Sequence, residues 1–529
     1  MWLALPLLAA CTGGSAVHDT GATGRGAAPT PDLPAPTLKR LTETQYDHAM
    51  RDLFGDGVLL PSSLEPDQRV EGLYAVGSAY STISSYGVEK YEAAAYDIAE
   101  QALDDPAVAD RYLPCEPTAV RDDDCARLSL ETLGRRAWRR PLTSEELDVL
   151  TAVVAEAATT LDDFDAGLTY GWAALLMSPD FLYRVELGDG QRYDDWEMAS
   201  RLSFFLWDTI PDDELLEAAE AAELTTDAGL EAQVDRMLAD DRIVDGVRNL
   251  FTEMLQLDLL DDLNKDPTVF TYMSDSFGSS AREETLQGIE ALVLQDDGSY
   301  LDLFTTQRAF VDRTMATIYD VTAPERDGFG EVWLPDDGGR RGLLGQASFL
   351  ALQAHATSSS ATRRGIFVRE VILCQPIPDP PANANTAIPE VSEDAPTMRD
   401  RIAVHLEDPA CASCHELTDY IGLGLENFDG LGMWRDTENG ATIDPSGQLD
   451  GVAFADAWQL AGVVGQHPDT GPCLVQTVLQ YATADLADDI DPALLDWHAQ
   501  GFADGGWSVL GLLRDVALSP GFRLAGEVR

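Results

Sequence analysis

The chain has 529 residues, too many for one hydrophobic core, and 45% of them are hydrophobic, an ordinary share for globular domains. Its charge is not ordinary: 92 acidic residues face 35 Lys and Arg, giving a formal net charge of −57, and Lys39, Lys90 and Lys265 are the only lysines. Such a surface repels nucleic acid and anionic membranes as direct partners, favours solubility at high ionic strength and basic partners, and says nothing about a reaction.

From the N-terminus, Met1 to Ala10 is apolar, and Leu8-Ala9-Ala10-Cys11 reads as a bacterial lipobox that directs cleavage before Cys11 and its lipidation. The run carries no Lys or Arg, which departs from the usual signal pattern and leaves the true start open; the alternative is an accidental cysteine. Gly13 to Pro36 is a Gly/Ala/Thr/Pro tether with little to bury. No other run reaches the roughly 18 apolar residues of a membrane span. Lipid on Cys11 is therefore the expected membrane anchor of an exported protein, periplasmic or at the cell surface.

Helical signals follow. Thr42 with Gln45 forms a capping box, then Tyr46, Met50, Leu53 and Phe54 recur at helical spacing until Gly55. Thr143 with Glu146 forms a second, opening a helix with Leu147, Leu150, Val153 and Val154 on one face. A very apolar helix from Asp165 leads to Ser178-Pro179, and Trp196 to Trp207 reads as a buried helix whose aromatics follow the 3.6 period. Ser178-Pro179 and Ser519-Pro520 echo one another as serine-capped turns. Strand signals are few, the clearest being Ala309 to Val311 and Glu331 to Leu334. Beyond the glycine-rich break Asp336 to Gly342, Leu343 to Ala354 predicts one apolar helix and Arg363 to Cys374 another. A polyproline-like connector, Gln375 to Pro381, leads on to a helix over Thr397 to Leu406. The fold class is mainly α. The divisions are 1–36 (signal and tether), 37–126, 127–190 and 191–336 (helical domains), 337–450 (cytochrome c-like) and 451–529 (C-terminal helices).

The sharpest motif is Cys411-Ala412-Ser413-Cys414-His415, the Cys-x-x-Cys-His signature of covalent c-type haem attachment. Two thiols three positions apart lie on one side of a helical turn and can add to the two vinyl groups of one porphyrin, and His415 follows as the proximal iron ligand. A redox dithiol, half of a zinc site and a chance occurrence are the competing readings. The first expects a βαβ pattern that the sequence lacks, and the second needs further ligands at comparable spacing. After the motif, Gly422, Gly424, Gly430 and Gly432 punctuate an apolar loop expected to lie against a haem edge.

With Cys11 assigned to lipid and Cys411 and Cys414 to haem, Cys115, Cys125, Cys374 and Cys473 remain. Four left over in an exported chain suggest two disulfides, Cys115 with Cys125 locally and Cys374 with Cys473 at long range. Spacing alone does not fix the connectivity, and four buried thiols are the alternative.

The chain resembles the multidomain planctomycete-type cytochrome c proteins, also found in myxobacteria. The resemblance is carried by Arg40-Leu41-Thr42 to Leu53-Phe54-Gly55, by Arg140-Pro141-Leu142-Thr143 and by Ala199-Ser200-Arg201-Leu202 to Pro211-Asp212-Asp213-Glu214-Leu215. It continues through Arg364-Gly365 to Cys374-Gln375-Pro376, and through Asp408-Pro409-Ala410-Cys411 to Glu426-Asn427-Phe428-Asp429. It implies helical domains of unknown function, a haem domain in the second half, and no substrate. Relatives usually read Asp-Pro-Ile-Gly where this chain has Asp419-Tyr420-Ile421-Gly422 after Thr418, which leaves the shape of that loop open.

The sixth iron ligand decides between a carrier and a catalyst. His355 closes an apolar helix and matches a histidine of the family motif, and Met433 stands in the glycine-rich loop; these are the leading candidates. His18 and His48 read as surface residues, His405 as too close in chain to Cys411, and Met398, His467 and His498 as weaker alternatives. The expected function is electron transfer by a single covalent haem c, with an unidentified redox partner protein. The rivals are a haem peroxidase or oxygenase and a haem-free adhesion or structural lipoprotein. No nucleophile elbow, P-loop or dinucleotide fingerprint is present.

Overall fold

The computed structural model describes residues 25–336, 338–378, 388–407 and 409–527, apart from the side chains of 404–410. The lipobox with Cys11, the tether as far as residue 24 including His18, the side chain of His405 and the end of the polyproline connector lie outside the described residues. The protein is mainly helical: twenty-three α-helices and four two-stranded antiparallel ribbons are described. No described helix is long and apolar enough to cross a membrane.

Capping chemistry fixes where helices begin. Thr42 and Gln45 exchange hydrogen bonds at the start of Glu43–Phe54, and Thr143 and Glu146 do so at Ser144–Leu161. A third reciprocal box, Asp194 with Glu197, opens the buried helix Asp195–Leu206. Ser178 caps the short helix Pro179–Leu182, whereas Ser519 precedes Pro520–Arg523 without a side-chain cap. The echo between the two turns is one of proline placement, and only the first serine works as a cap.

Residues 41–182 enclose a first core around Tyr46, Phe54, Tyr112, Trp172 and Phe181. Its rings meet in edge-to-face pairs, and the Trp172 indole donates to Ser129 at 3.0 Å. The two ends of this stretch are tied by the ribbon Lys39–Arg40 with Tyr183–Arg184, in the register Lys39↔Arg184 and Arg40↔Tyr183. Beyond the ribbon, buried Glu186 accepts from Lys39 and from Arg201, and Arg201 donates onward to the Phe522 carbonyl. This polar stitch joins the first core to a second, larger one that takes in Ala75 and residues from Tyr193 to Ala525.

The two sequence-expected strands form a ribbon, Arg308–Val311 with Gly330–Trp333. The apolar run 343–354 is not one helix. Gly342 sits at φ +55° with the position of a Cβ only 2.0 Å from the Phe304 carbonyl oxygen, so the chain turns there. A 3₁₀ turn, Leu343–Gly345, then precedes the short helix Ala347–Leu352. Farther on, Ala361–Phe367 is α-helical and Val368–Ile372 widens to a π-helix. Both expected disulfides are formed, Cys115–Cys125 and Cys374–Cys473.

Candidate functional site

The Cys-x-x-Cys-His motif lies on the helix Pro409–Leu423. Cys411 and Cys414 are free, half-buried thiols, not bonded to each other, and the Cys414 thiol faces the Pro378 carbonyl at 3.7 Å. The stretch 418–422, whose shape the sequence left open, continues this helix. With tyrosine at 420 in place of proline, nothing interrupts its backbone hydrogen bonds.

This helix is placed by a close crossing with Ala361–Phe367. A Cβ on Gly365 would stand 1.9 Å from the Thr418 carbonyl oxygen, and one on Gly422 would stand 1.8 Å from that of Ala361. The pairing 365 with 418 and 361 with 422 makes the helices antiparallel. Two buried arginines of the same segment complete the grip. Arg369 donates to the Leu417 carbonyl at 3.0 Å. Arg364, fully buried, donates to the carbonyls of Leu350, Leu425, Phe428 and Asp429. Burial pulls the Arg364 guanidinium down to about 10, against the favourable charge of Glu426 3.6 Å away. In the glycine-rich loop after the helix, Gly424 meets Phe454, Gly430 meets Phe270, and Gly432 meets Ala347 and Leu350.

His415 is oriented by a carboxylate. Its Nδ1 lies 2.8 Å from Asp419 Oδ2, one helical turn on, and Asp419 is completely buried. The other carboxylate oxygen, Oδ1, accepts from Thr362 at 2.8 Å and from Thr418 at 3.3 Å. With Nδ1 so engaged, Nε2 is the nitrogen through which the ring can ligate a metal. Two free thiols at i and i+3 and an adjacent, oriented imidazole on one helix are the donor set a c-type haem requires, so these residues fit it. Among the described residues no group of three or more His, Cys, Asp or Glu side chains is gathered for a metal ion such as zinc.

The remaining candidates are dispersed. His355 lines a cavity of about 870 Å³ together with Phe270, Arg401 and Arg435, and its pKa is lowered by burial and by the charges of Arg363 and Lys265. Met433 lines a different cavity, of about 570 Å³, with Tyr319, Arg340 and Trp434. No residue of the motif is among the described lining of either cavity. Met398 is buried in a small apolar cluster with Ala361, Ile402 and Leu423. His467 pairs with Asp450 at 2.9 Å, and His498, fully buried, with Asp515 at 3.1 Å. His48 is not the plain surface residue its sequence suggested: it is half-buried and paired with the fully buried Asp208 at 3.3 Å. Burial pulls the His48 pKa down, but the hydrogen bond and charge of Asp208 outweigh it and hold it at about 9. Sequence reading missed Asp419 and the part played by Arg364. The first carried a signal, an acid four residues after the motif histidine on a helix; the second carried none beyond an arginine in an apolar segment.

A mainly helical, multidomain chain with a Cys-x-x-Cys-His helix in its second half is the class these features define. The chain belongs to the multidomain planctomycete-type cytochrome c proteins, whose domains it carries in succession. Four family models, each described as a protein of unknown function, match it: PSD3 (DUF1587) over residues 39–104, PSD5 (DUF1595) over 125–186, PSD4 (DUF1592) over 193–321 and PSCyt3 (DUF1588) over 340–438. The last span holds Arg364, the motif and Asp419. No curated protein and no solved structure matches the chain significantly.

Proposed function

We propose that the chain is a monohaem c-type cytochrome that transfers electrons to or from a partner protein, anchored by lipid on Cys11 after export. The observation that carries this reading is the pair of unbridged thiols Cys411 and Cys414 on one helical turn, beside an imidazole whose Nδ1 is already engaged by Asp419. When bound, the haem supplies a one-electron iron couple. Cys411 and Cys414 hold it through thioethers, His415 presents Nε2 to the iron, and the buried Arg364 and Arg369 fix the helix that carries all three. A net charge of −57 favours a redox partner with a basic face.

The test is covalent attachment. Expressed with a haem-maturation system, the protein keeps its Soret absorbance through acid–acetone extraction, and Cys414→Ala impairs attachment. Haem that extracts freely from the wild type, or never appears, ends the cytochrome reading.

The large cavity beside His355 supports a second reading, a haem peroxidase or oxygenase with substrate held in that space. Carbon monoxide separates the two on the same sample. A six-coordinate carrier, with His355 or Met433 as distal ligand, binds it slowly or not at all, whereas an open sixth position binds it at once.

A further inference from the structure

We infer that Asp419 tunes the electron donation of His415, biasing the site toward its oxidised form; this rests on the haem reading above. An acid and a histidine one turn apart on an exposed helix face form a weak, transient pair. This pair is built differently. Asp419 is completely buried, and its two oxygens are used separately, Oδ2 for His415 at 2.8 Å and Oδ1 for the hydroxyls of Thr362 and Thr418. Thr362 comes from the crossing helix, which Gly365 and Gly422 bring to backbone contact, so the carboxylate is fixed from outside its own helix. Apolar packing of two helices does not call for a buried acid, and burying one costs several kcal/mol unless its oxygens are satisfied.

A carboxylate accepts from Nδ1–H more strongly than a backbone carbonyl does, which makes Nε2 a better donor to a metal. Stronger donation stabilises the ferric over the ferrous state, and the midpoint potential falls. Thr362 acts in the opposite sense: its hydroxyl draws on the same carboxylate and tempers the pull. Asp419 is thus a positioning residue whose strength is set by a second helix.

The experiment measures the midpoint potential of the full chain, with haem attached, for the wild type, Asp419→Asn and Thr362→Val. In Asp419→Asn the potential rises, with the ferric-to-ferrous ratio at fixed poise changing at least tenfold, which is about 59 mV for one electron. In Thr362→Val, which keeps the carboxylate and removes its brake, the potential falls by a smaller amount. Opposite signs are the signature, because a merely structural loosening moves both variants the same way. If Asp419→Asn does not fold, Thr362→Val decides alone, and an unchanged or raised value overturns the inference. An attached haem whose potential is indifferent to Asp419→Asn also overturns it while leaving the cytochrome reading intact. A wild type that attaches no haem removes the reading beneath it.

Discussion

The first core and the motif region each hold a buried arginine on four carbonyls, Arg139 on those of Ala137, Asp180, Phe181 and Tyr183 in the one and Arg364 in the other, but they differ in the apolar packing around it. Residues 41–182 close around fully buried rings, with Trp172 between Phe54 and Tyr112 and with Phe181 against Tyr46. Around the motif helix one apolar cluster of described residues is small, namely Ala361, Met398, Ile402 and Leu423, while Ile421 on the helix's other side joins the edge of the larger second core. There, position is set by side chains that grip the backbone: Arg364 on four carbonyls, Arg369 on Leu417, and Glu438 on the Met398 N–H while pairing with Arg401. Apolar packing is tolerant of small shifts and supplies stability. Directional hydrogen bonds define where atoms lie and are costly when one partner is lost. The second kind of construction suits a helix on which two thiols and an imidazole keep a fixed relation.

The two disulfides test that contrast most strongly. In the chain-entropy model, closing a loop of about 100 residues is worth about 4.7 kcal/mol, and one of about ten residues nearer 3 kcal/mol. The bridges span 99 and 10 residues. Replacing Cys374 and Cys473 together by serine is expected to lower unfolding free energy more than replacing Cys115 and Cys125, in chemical denaturation followed by circular dichroism. Equal losses would mean that the C-terminal helices dock as firmly without their bridge.

Next in size is Arg364→Met, which keeps much of the volume but leaves four buried carbonyls without their donor and takes one of two cations from Glu426, which keeps Arg435 at 2.9 Å. Losing one partner of such a buried set costs about 3–5 kcal/mol. Hydrogen exchange is expected to rise across 409–430 and to stay unchanged across 43–182. Uniform acceleration in both regions would show that they unfold as one unit.

The smallest effect belongs to His48, at the edge of the first core. Its folded pKa of about 9 lies above its ordinary 6.5, so its contribution to stability is complete below pH 6.5 and is lost as pH rises through 9. The amount is at most about 2 kcal/mol, because burial raises the carboxyl of Asp208 and offsets part of the gain. His48→Gln is expected to flatten the fall in melting temperature between pH 6.5 and 9. A fall of undiminished slope would place its origin elsewhere.

How much of this was legible in the sequence follows the same division. Thr42, Thr143 and Ser178 announce their helices because a cap is a local hydrogen bond between neighbours in sequence. The apolar period of 195–206 gave a buried helix for the same local reason. The run 343–354 misled because its composition is helical while Gly342 is turned by Phe304, a neighbour only in space. The motif and its thiols could be read directly. The carbonyls that Arg364 grips come from two separate stretches of chain, Leu350 and 425–429, and no spacing encodes them. Asp419 lay between these cases, visible as an acid at i+4, yet given its role by Thr362 on another helix.

The bridge from Cys374 to Cys473 also poses a problem of thiol sorting. Cys411 and Cys414 lie between the two bridged cysteines in sequence, so a folding chain offers Cys374 both of them before its true partner. A bond from Cys374 to either would consume a thiol of the motif and leave Cys473 stranded, and a bond between Cys411 and Cys414 would block both at once. The native pairing therefore calls either for the motif thiols to be shielded until the helix Thr470–Thr483 brings Cys473 to Cys374, or for a mispaired bond to be undone by thiol–disulfide exchange.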